Sequence, residues 1–162
     1  MWLPSALCAI TSTSTSTVNS DNDDIGISTG QTLKAGEVVR FDLVNNLASS
    51  NNAQGYTFNG THNEVVAWKQ LIQITGNASN NADIKVWAVN AIEIGSPNYD
   101  ATFYDPAFGG DVKVNLTEAN VRIYNAAGQL VDPSNYLANG VTVTASLTDE
   151  SVTILGLKDD WS

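Results

Sequence analysis

Clusters of Asp and Asn are the part of this sequence best suited to chemistry, because carboxylate and carbonyl oxygens are the ligands that calcium prefers. The first cluster contains Asp21, Asp23 and Asp24. It begins like an EF-hand loop, but Ile25 and Thr32 stand at positions where that motif needs oxygen ligands. Loops can also hold calcium without regular spacing, so we expect these acids to form a metal site of another kind.

A second cluster, in a loop rich in Pro and Gly, contains Asp100, Asp105 and Asp111. Three carboxylates within a segment that Pro and Gly fold back on itself can converge on one ion. The third cluster is Asp159 and Asp160, which suits an ion that stiffens the joint with a following domain. A fourth, between Asn77 and Asp83, is mostly amides and is typical of a hairpin turn.

Ordinary turn chemistry explains each cluster as well as calcium does, because Asp and Asn are common turn residues in β proteins. The density of like charge nevertheless favours at least one bound calcium ion, since a divalent cation relieves the repulsion. The chain has 17 acidic residues against 7 basic ones, and its net charge is -10. This charge excludes nucleic acids and anionic membranes as partners, because both bind through basic groups.

Aromatic residues surround the second acidic cluster in the run YDATFYDPAF. Exposed aromatic side chains beside acids are typical of a recognition surface. We therefore expect Tyr99, Tyr104 and Phe108 to form the walls of a ligand site. Asn59, His62 and Asn63 would form its polar rim. Trp68 and Trp87, by contrast, lie in alternating segments that predict core positions.

No set of residues predicts catalysis. His62 is the only histidine and Cys8 the only cysteine, so neither a nucleophile with its base nor a tetrahedral zinc site can be assembled. The chain is therefore predicted not to be an enzyme. A single cysteine also excludes an internal disulfide, and an acidic chain of this kind fits a secreted bacterial domain stiffened by metal ions. No apolar stretch approaches the roughly 20 residues of a membrane span.

The hydrophobic pattern that must position these residues has a period of two. Strands are predicted at 37–44, 64–75, 83–94, 112–116, 121–124, 141–147 and 152–157, with one helical turn at 116–120. Eight to ten short strands between polar turns predict an all-β fold, an antiparallel β-sandwich with long loops rich in Asp and Asn. Residues 1–20, which include TSTSTST, are expected to be a disordered or extraneous linker before a domain at 21–162.

Two segments resemble a known family. Residues 120–161 (NVRIYNAAGQLVDPSNYLANGVTVTASLTDESVTILGLKDDW) resemble the modules of giant RTX-type bacterial adhesins. Residues 36–70, with VRFDLVNNL and YTFNGTHNEVVAWKQ, are similar to the calcium-dependent peptide-binding domains of ice-binding and vibrio adhesins. The resemblance implies a calcium-stabilised β-sandwich, exposed at the bacterial surface, in which an ion helps to grip the C-terminal carboxylate of a partner protein.

The resulting hypothesis is a secreted calcium-dependent adhesin module that serves cell adhesion or biofilm formation and is monomeric as an isolated domain. Two alternatives stay open. One is a carbohydrate-binding module that recognises glycans on target cells through the same ion or aromatic residues. The other is a structural extender, whose calcium ions only rigidify the joints with neighbouring adhesin domains.

Overall fold

A computed structural model of the chain describes residues 7–11, 18–21, 24–27, 33–37, 39–43, 47–49, 56–58, 66–76, 80–90 and 112–162. The chain forms two compact units. The first unit consists of residues 1–66 and 91–112, and the second consists of residues 67–90 and 113–162.

The described strands of the first unit form three separate antiparallel pairs. These are β1 (Leu7–Thr11) with β4 (Val39–Leu43), β2 (Val18–Asp21) with β3 (Asp24–Ile27), and β5 (Leu47–Ser49) with β6 (Tyr56–Phe58). Strand β4 confirms the strand predicted at 37–44. Strands β1 and β2 fall where the sequence predicted a linker. Because β1 pairs with a segment distant in sequence, local composition does not reveal it. The division at residue 20 stays a prediction.

A four-stranded sheet organises the second unit. Its strand order is β8 (Val112–Val114), β7 (Ala82–Asn90), β10 (Ser151–Leu157) and β9 (Thr142–Ser146). The inner strand β10 runs antiparallel to both β7 and β9. These four strands confirm the strands predicted at 83–94, 112–116, 141–147 and 152–157, within the described residues. The alternation of β-branched and polar residues explains the agreement, because it fits a sheet with one buried face.

The buried face of this sheet carries the hydrophobic core. Ile154 on β10 lies opposite Ile84 on β7 and Val143 on β9, so the three residues share one face. The buried residues of the core are Ile123, Tyr136, Val141, Val152, Ile154, Leu157 and Trp161. Since some of them come from segments outside the sheet, the sheet alone does not bury its apolar face.

Strand β10 contains a bulge at its C-terminal end. Ile154 pairs with Ile84 whereas Leu157 pairs with Ala82, so three steps along β10 span two steps along β7. Gly156 lies in the bulge with a φ of 80°. A Cβ atom there would come within 2.1 Å of the carbonyl oxygen of Gly140. Only glycine therefore fits this position without a shift of the backbone.

Two predicted strands are wrong. Residues 66–76 and 121–124 form no strand and contribute one isolated bridge each, Ile72 with Trp161 and Tyr124 with Leu130. Trp68 was predicted to be a core residue, but its exposed fraction is 49%. The segment does alternate apolar and polar residues, but within the part of the chain that the structure describes its pairing extends to one residue only. Trp87 is half-buried.

Helices are minor in the described part of the chain. It contains three 3-10 helices of three residues each, η1 (Glu118–Asn120), η2 (Pro133–Asn135) and η3 (Leu137–Asn139). Helix η1 confirms the single helical turn predicted at 116–120. Strands dominate the described residues, and the chain is all-β in class.

Candidate functional site

Most of the residues predicted to bind a ligand lie outside the described residues. They are Tyr99, Asp100, Tyr104, Asp105, Phe108 and Asp111, the rim residues Asn59, His62 and Asn63, and Asp23 of the first acidic cluster. Their assignments stay predictions. The described acids of the predicted metal clusters are Asp21, Asp24, Asp83, Asp159 and Asp160.

The first acidic cluster lies at a β-hairpin. Asp21 ends β2 and Asp24 begins β3, and the two are direct partners across the antiparallel pair. Like charges at directly opposed positions of a ladder destabilise the pairing. The structure therefore places two predicted metal ligands at directly opposed backbone positions, and their role as ligands stays a prediction.

The third acidic cluster lies in the segment Lys158–Ser162, hereafter the C-terminal segment. One carboxylate oxygen of Asp159, Oδ1, accepts the amide hydrogen of Ile74, with an N–O distance of 2.7 Å. The exposed Asp160 donates its own amide hydrogen to the carbonyl oxygen of Ile72 at 2.8 Å. The two acids thus help to fix the segment to residues 72–74. Within the described ranges, no three or more His, Cys, Asp or Glu residues lie together so that they could hold a metal ion.

The C-terminal segment behaves like a short central strand. On one side, Trp161 accepts the amide hydrogen of Ile72 at 2.7 Å. On the other side, Ser162 exchanges two hydrogen bonds with Tyr124, at 2.6 and 3.0 Å. Successive residues thus direct their backbone groups to opposite sides, as in a strand between two neighbours. The indole of Trp161, 7% exposed, is part of the core.

Two lysines reinforce the same region. The ammonium group of Lys69 lies 4.4 Å from the centroid of the Tyr124 ring, and that of Lys158 lies 5.0 Å from the Trp161 ring. A cation at this distance from an aromatic face is attracted by the ring quadrupole. These two lysines therefore lie against aromatic rings in and beside the C-terminal segment.

Asp149, in the turn between β9 and β10, is the centre of an ion-pair and hydrogen-bond cluster that the sequence did not predict. Its carboxylate forms an ion pair with Lys85 and accepts a hydrogen bond of 2.7 Å from the hydroxyl of Ser151. A hydrogen bond from Lys85 has the largest effect on the pKa of Asp149, followed by hydrogen bonds from Ser151 and Ser146. Together they hold this pKa well below its usual range. Lys113 also reaches this turn and donates to the carbonyl oxygen of Asp149 at 3.0 Å.

The cluster around Asp149 assembles from three strands and one turn. Lys85 comes from β7, Lys113 from β8 and Ser151 from β10, while Lys85 also lies 5.1 Å from the centroid of the Trp87 ring. In the sequence, the segment around Asp149 indicates only a turn. Only the strand order would identify the cluster, because it brings Lys85, Lys113 and Ser151 together although they are distant in sequence.

Asp83, assigned to the fourth cluster, has a structural contact. Its Oδ1 atom accepts the amide hydrogen of Gly156 at 2.9 Å, within the bulge of β10. Asn80 and Asn81 precede β7 as exposed, irregular residues. The bulge therefore takes one of its hydrogen bonds from a side chain on the neighbouring strand.

Asp132 caps the helix η2. Its carboxylate accepts hydrogen bonds from the amide and the hydroxyl of Ser134, at 2.8 and 2.7 Å. These bonds lower the pKa of Asp132 from its ordinary value. An Asp followed by Pro at the first helical position is a signal for a helix start. It identifies this residue as a structural cap.

No family model, curated protein or solved structure matches the chain. The helices of the described residues have three residues each, far below the length of a membrane-spanning helix.

Proposed function

We propose that the chain is a calcium-dependent ligand-binding module of a secreted bacterial adhesin, with a β-sandwich fold and no enzymatic activity. It grips the C-terminal carboxylate of partner proteins or peptides at the cell surface, in cell adhesion or biofilm formation. The resemblance of residues 36–70 and 120–161 to RTX-type adhesins supports this proposal, together with the all-β class and the net charge of -10.

The observation that carries the calcium dependence is the direct pairing of Asp21 with Asp24 across the β2–β3 hairpin. Two carboxylates at opposed ladder positions repel each other unless a cation lies between them. Oxygen ligands from Asp, from Asn and from backbone carbonyls suit calcium better than a transition metal. Asp23 would complete this set of ligands.

In the ligand site, Asp100, Asp105 and Asp111 would hold a calcium ion with open coordination positions. The bound ion supplies positive charge to a ligand carboxylate, which displaces water. Tyr99, Tyr104 and Phe108 would form the walls, while Asn59, His62 and Asn63 form the polar rim. This arrangement selects a free carboxylate, because an amidated chain end offers no charge to the ion.

Thermal unfolding in excess EDTA and then in millimolar calcium tests the metal dependence. An ion that binds only the folded state at a hundred times its Kd contributes about 2.7 kcal/mol. For a chain of this size the midpoint should rise by about 5–10 °C. The double variant Asp21→Asn, Asp24→Asn should lose part of this rise, whereas Asp132→Asn, which removes a charge at the η2 cap, should keep it. An unchanged midpoint in the wild type would remove the proposal.

Binding of short peptides in calcium tests the ligand. Peptides with a free C-terminal carboxylate should bind, and the same peptides with an amidated end should not. Asp105→Ala should abolish binding and leave the circular dichroism spectrum unchanged. Unchanged affinity in that variant would reject the assignment of Asp105. Competition by free monosaccharides would instead indicate a carbohydrate-binding module.

A second candidate is a structural extender, which rests on the two adjacent acids Asp159 and Asp160. In this candidate the acids of the C-terminal segment would hold an ion that rigidifies the joint with a neighbouring adhesin domain. This candidate predicts the same thermal response to calcium without binding of any peptide or sugar. Asp159→Asn would then reduce the calcium response, and Asp105→Ala would not.

A further inference from the structure

Two segments from elsewhere in the chain cover the outer edge of β9. Among the described strands, β9 is the last on one side of the four-stranded sheet and pairs only with β10. The amide of Ala145 donates to the carboxylate of Glu118, with an N–O distance of 2.9 Å to Oε1. The amide of Val141 donates to the carbonyl oxygen of Tyr136, also at 2.9 Å. Neither acceptor belongs to a strand, so both bonds take the place of a missing neighbour.

The alternation of the strand determines what the rest of this edge offers. Residues two positions apart direct their backbone groups to the same side, so Val143 directs its amide away from β10, as Val141 and Ala145 do. Within the described ranges, the amide of Val143 has no acceptor. Without the carboxylate of Glu118, two successive outward amides, at 143 and 145, would be open. Such a row of free backbone groups is what a further strand pairs with.

The surroundings of the helix η1 hold Glu118 in this position. Leu116 and Val121, on the two sides of η1, pack against the core of the second unit. The amide and the hydroxyl of Thr117 donate to Oδ1 of Asn120, at 2.8 and 2.9 Å. The helix is therefore anchored on both sides of Glu118, which keeps the carboxylate within reach of β9.

We propose that Glu118 closes the edge of β9 against the addition of a further strand. An open edge is a template for pairing with other chains, and folded proteins cover such edges or place charges on them. The carboxylate of Glu118 does both, because it occupies the outward amide of Ala145 and brings a negative charge to the edge. This role needs neither calcium nor a ligand and goes beyond the proposed function.

Substitutions at residue 118 separate the acceptor from the charge. Glu118→Ala removes both, so the chains should associate at a protein concentration about tenfold lower than the wild type. Glu118→Asp keeps the charge but is one methylene shorter, so it should associate like Glu118→Ala. Glu118→Gln is the matched control: it keeps an oxygen acceptor of the same reach without the charge and should behave like the wild type.

A proline at residue 145 tests whether the backbone amide itself is responsible. Ala145→Pro removes the outward N–H and no hydrogen bond to β10, and edge strands tolerate proline where the N–H side faces outward. Added to Glu118→Ala, this substitution should reverse the association. Association that arises from partial unfolding of the Glu118→Ala variant would instead persist.

The measurement is light scattering coupled to size exclusion on the full chain, in EDTA, over micromolar to millimolar concentrations. A reductant is needed because Cys8 can link two copies through a disulfide. Circular dichroism verifies that each variant is folded, and Glu118→Asp keeps the test available if Glu118→Ala unfolds. In NMR spectra at low concentration, the amide proton of Ala145 should move upfield in both variants, while that of Val141 should keep its position.

Three outcomes would overturn the proposal. The first is the same concentration dependence of association in Glu118→Ala, Glu118→Asp and the wild type. The second is association of Glu118→Gln like that of Glu118→Ala, because the charge and not the acceptor would then control it. The third is association that persists when Ala145→Pro is added to Glu118→Ala, which would place the contact away from the edge of β9.

Discussion

The carboxylate of Asp83 on β7 accepts the amide hydrogen of Gly156 on β10, at the position where β10 carries an additional residue. A bulge disrupts the regular ladder and leaves an amide without a ladder partner. Here a side chain from the adjacent strand takes the place of that partner. Asp83 thus fixes the register shift that lets Leu157 face Ala82.

Removal of this carboxylate should destabilise the second unit. Asp83→Ala leaves a part-buried amide of Gly156 without its acceptor, so the free energy of unfolding should fall by about 1–2 kcal/mol. Asp83→Asn keeps an oxygen acceptor and should lower the free energy of unfolding by less than Asp83→Ala does. Urea unfolding followed by tryptophan fluorescence measures both. The control is Asn80→Ala, in the exposed segment before β7, which should change the value by less than about 0.5 kcal/mol. Equal effects of the Asp83→Ala and Asn80→Ala variants would contradict the role of Asp83.

Gly156 and Gly128 form a natural pair for a second test, because both have positive φ, 80° and 73°. An added Cβ atom at Gly156 would lie 2.1 Å from the oxygen of Gly140, while at Gly128 it would meet nothing within 4 Å. Gly128→Ala should therefore lower the free energy of unfolding by about 1 kcal/mol, the cost of a left-handed backbone at a residue with a Cβ atom. Gly156→Ala should lower it by about 3 kcal/mol or more, because the clash adds to that cost. Similar losses in the two variants would show that the clash with Gly140 is relieved by a small shift.

The acid stability of the second unit should depend on Asp149. Its folded pKa lies below the unfolded value, so the folded state gains stability from the ionised carboxylate above the unfolded pKa, near 3.9. This contribution is lost as the pH falls through the folded pKa. Asp149→Asn should flatten the pH dependence of unfolding below pH 4. Lys85→Met, which removes the ion-pair partner, should move the pKa of Asp149 upward in a carbon-detected NMR titration. An unmoved pKa would refute the ion pair.

Tyr136 offers a substitution that should be harmless or favourable. Its ring lies in the core, and its buried hydroxyl forms no hydrogen bond to the described residues. A buried polar group without a partner costs free energy, so Tyr136→Phe should leave stability unchanged or raise it by about 1 kcal/mol. Tyr136→Ala, which also removes the ring, should lower it by about 3–5 kcal/mol. A clear loss of stability in Tyr136→Phe would reveal a partner for the hydroxyl.

The sequence predicted the sheet of the second unit because its strands alternate in a way that local pattern reveals. The same pattern failed at residues 64–75, where Ile72 pairs with one residue only and Trp68 is exposed. A two-residue period reports which side chains are apolar on one face. It does not report whether a neighbouring strand exists, since that depends on the course of the rest of the chain.

The acidic residues show a similar limit. Composition identified Asp159 and Asp160 as a cluster, but their backbone and carboxylate bonds to Ile72 and Ile74 follow from the path of the C-terminal segment. Asp149 carried no signal, because its partner Lys85 is 64 positions away in sequence. Turn residues and metal ligands are the same residue types, so the sequence cannot separate them without the contacts that only the fold provides.

The position of Trp161 and Ser162 between Ile72 and Tyr124 also has a consequence for hydrogen exchange. The amide hydrogens of Ile72, Tyr124 and Ser162 all donate to backbone oxygens within this one arrangement. Each of these amides becomes available to solvent only when the C-terminal segment separates from Ile72 and Tyr124. In deuterated water these three amides should therefore exchange with one common free energy of opening, as a single cooperative unit.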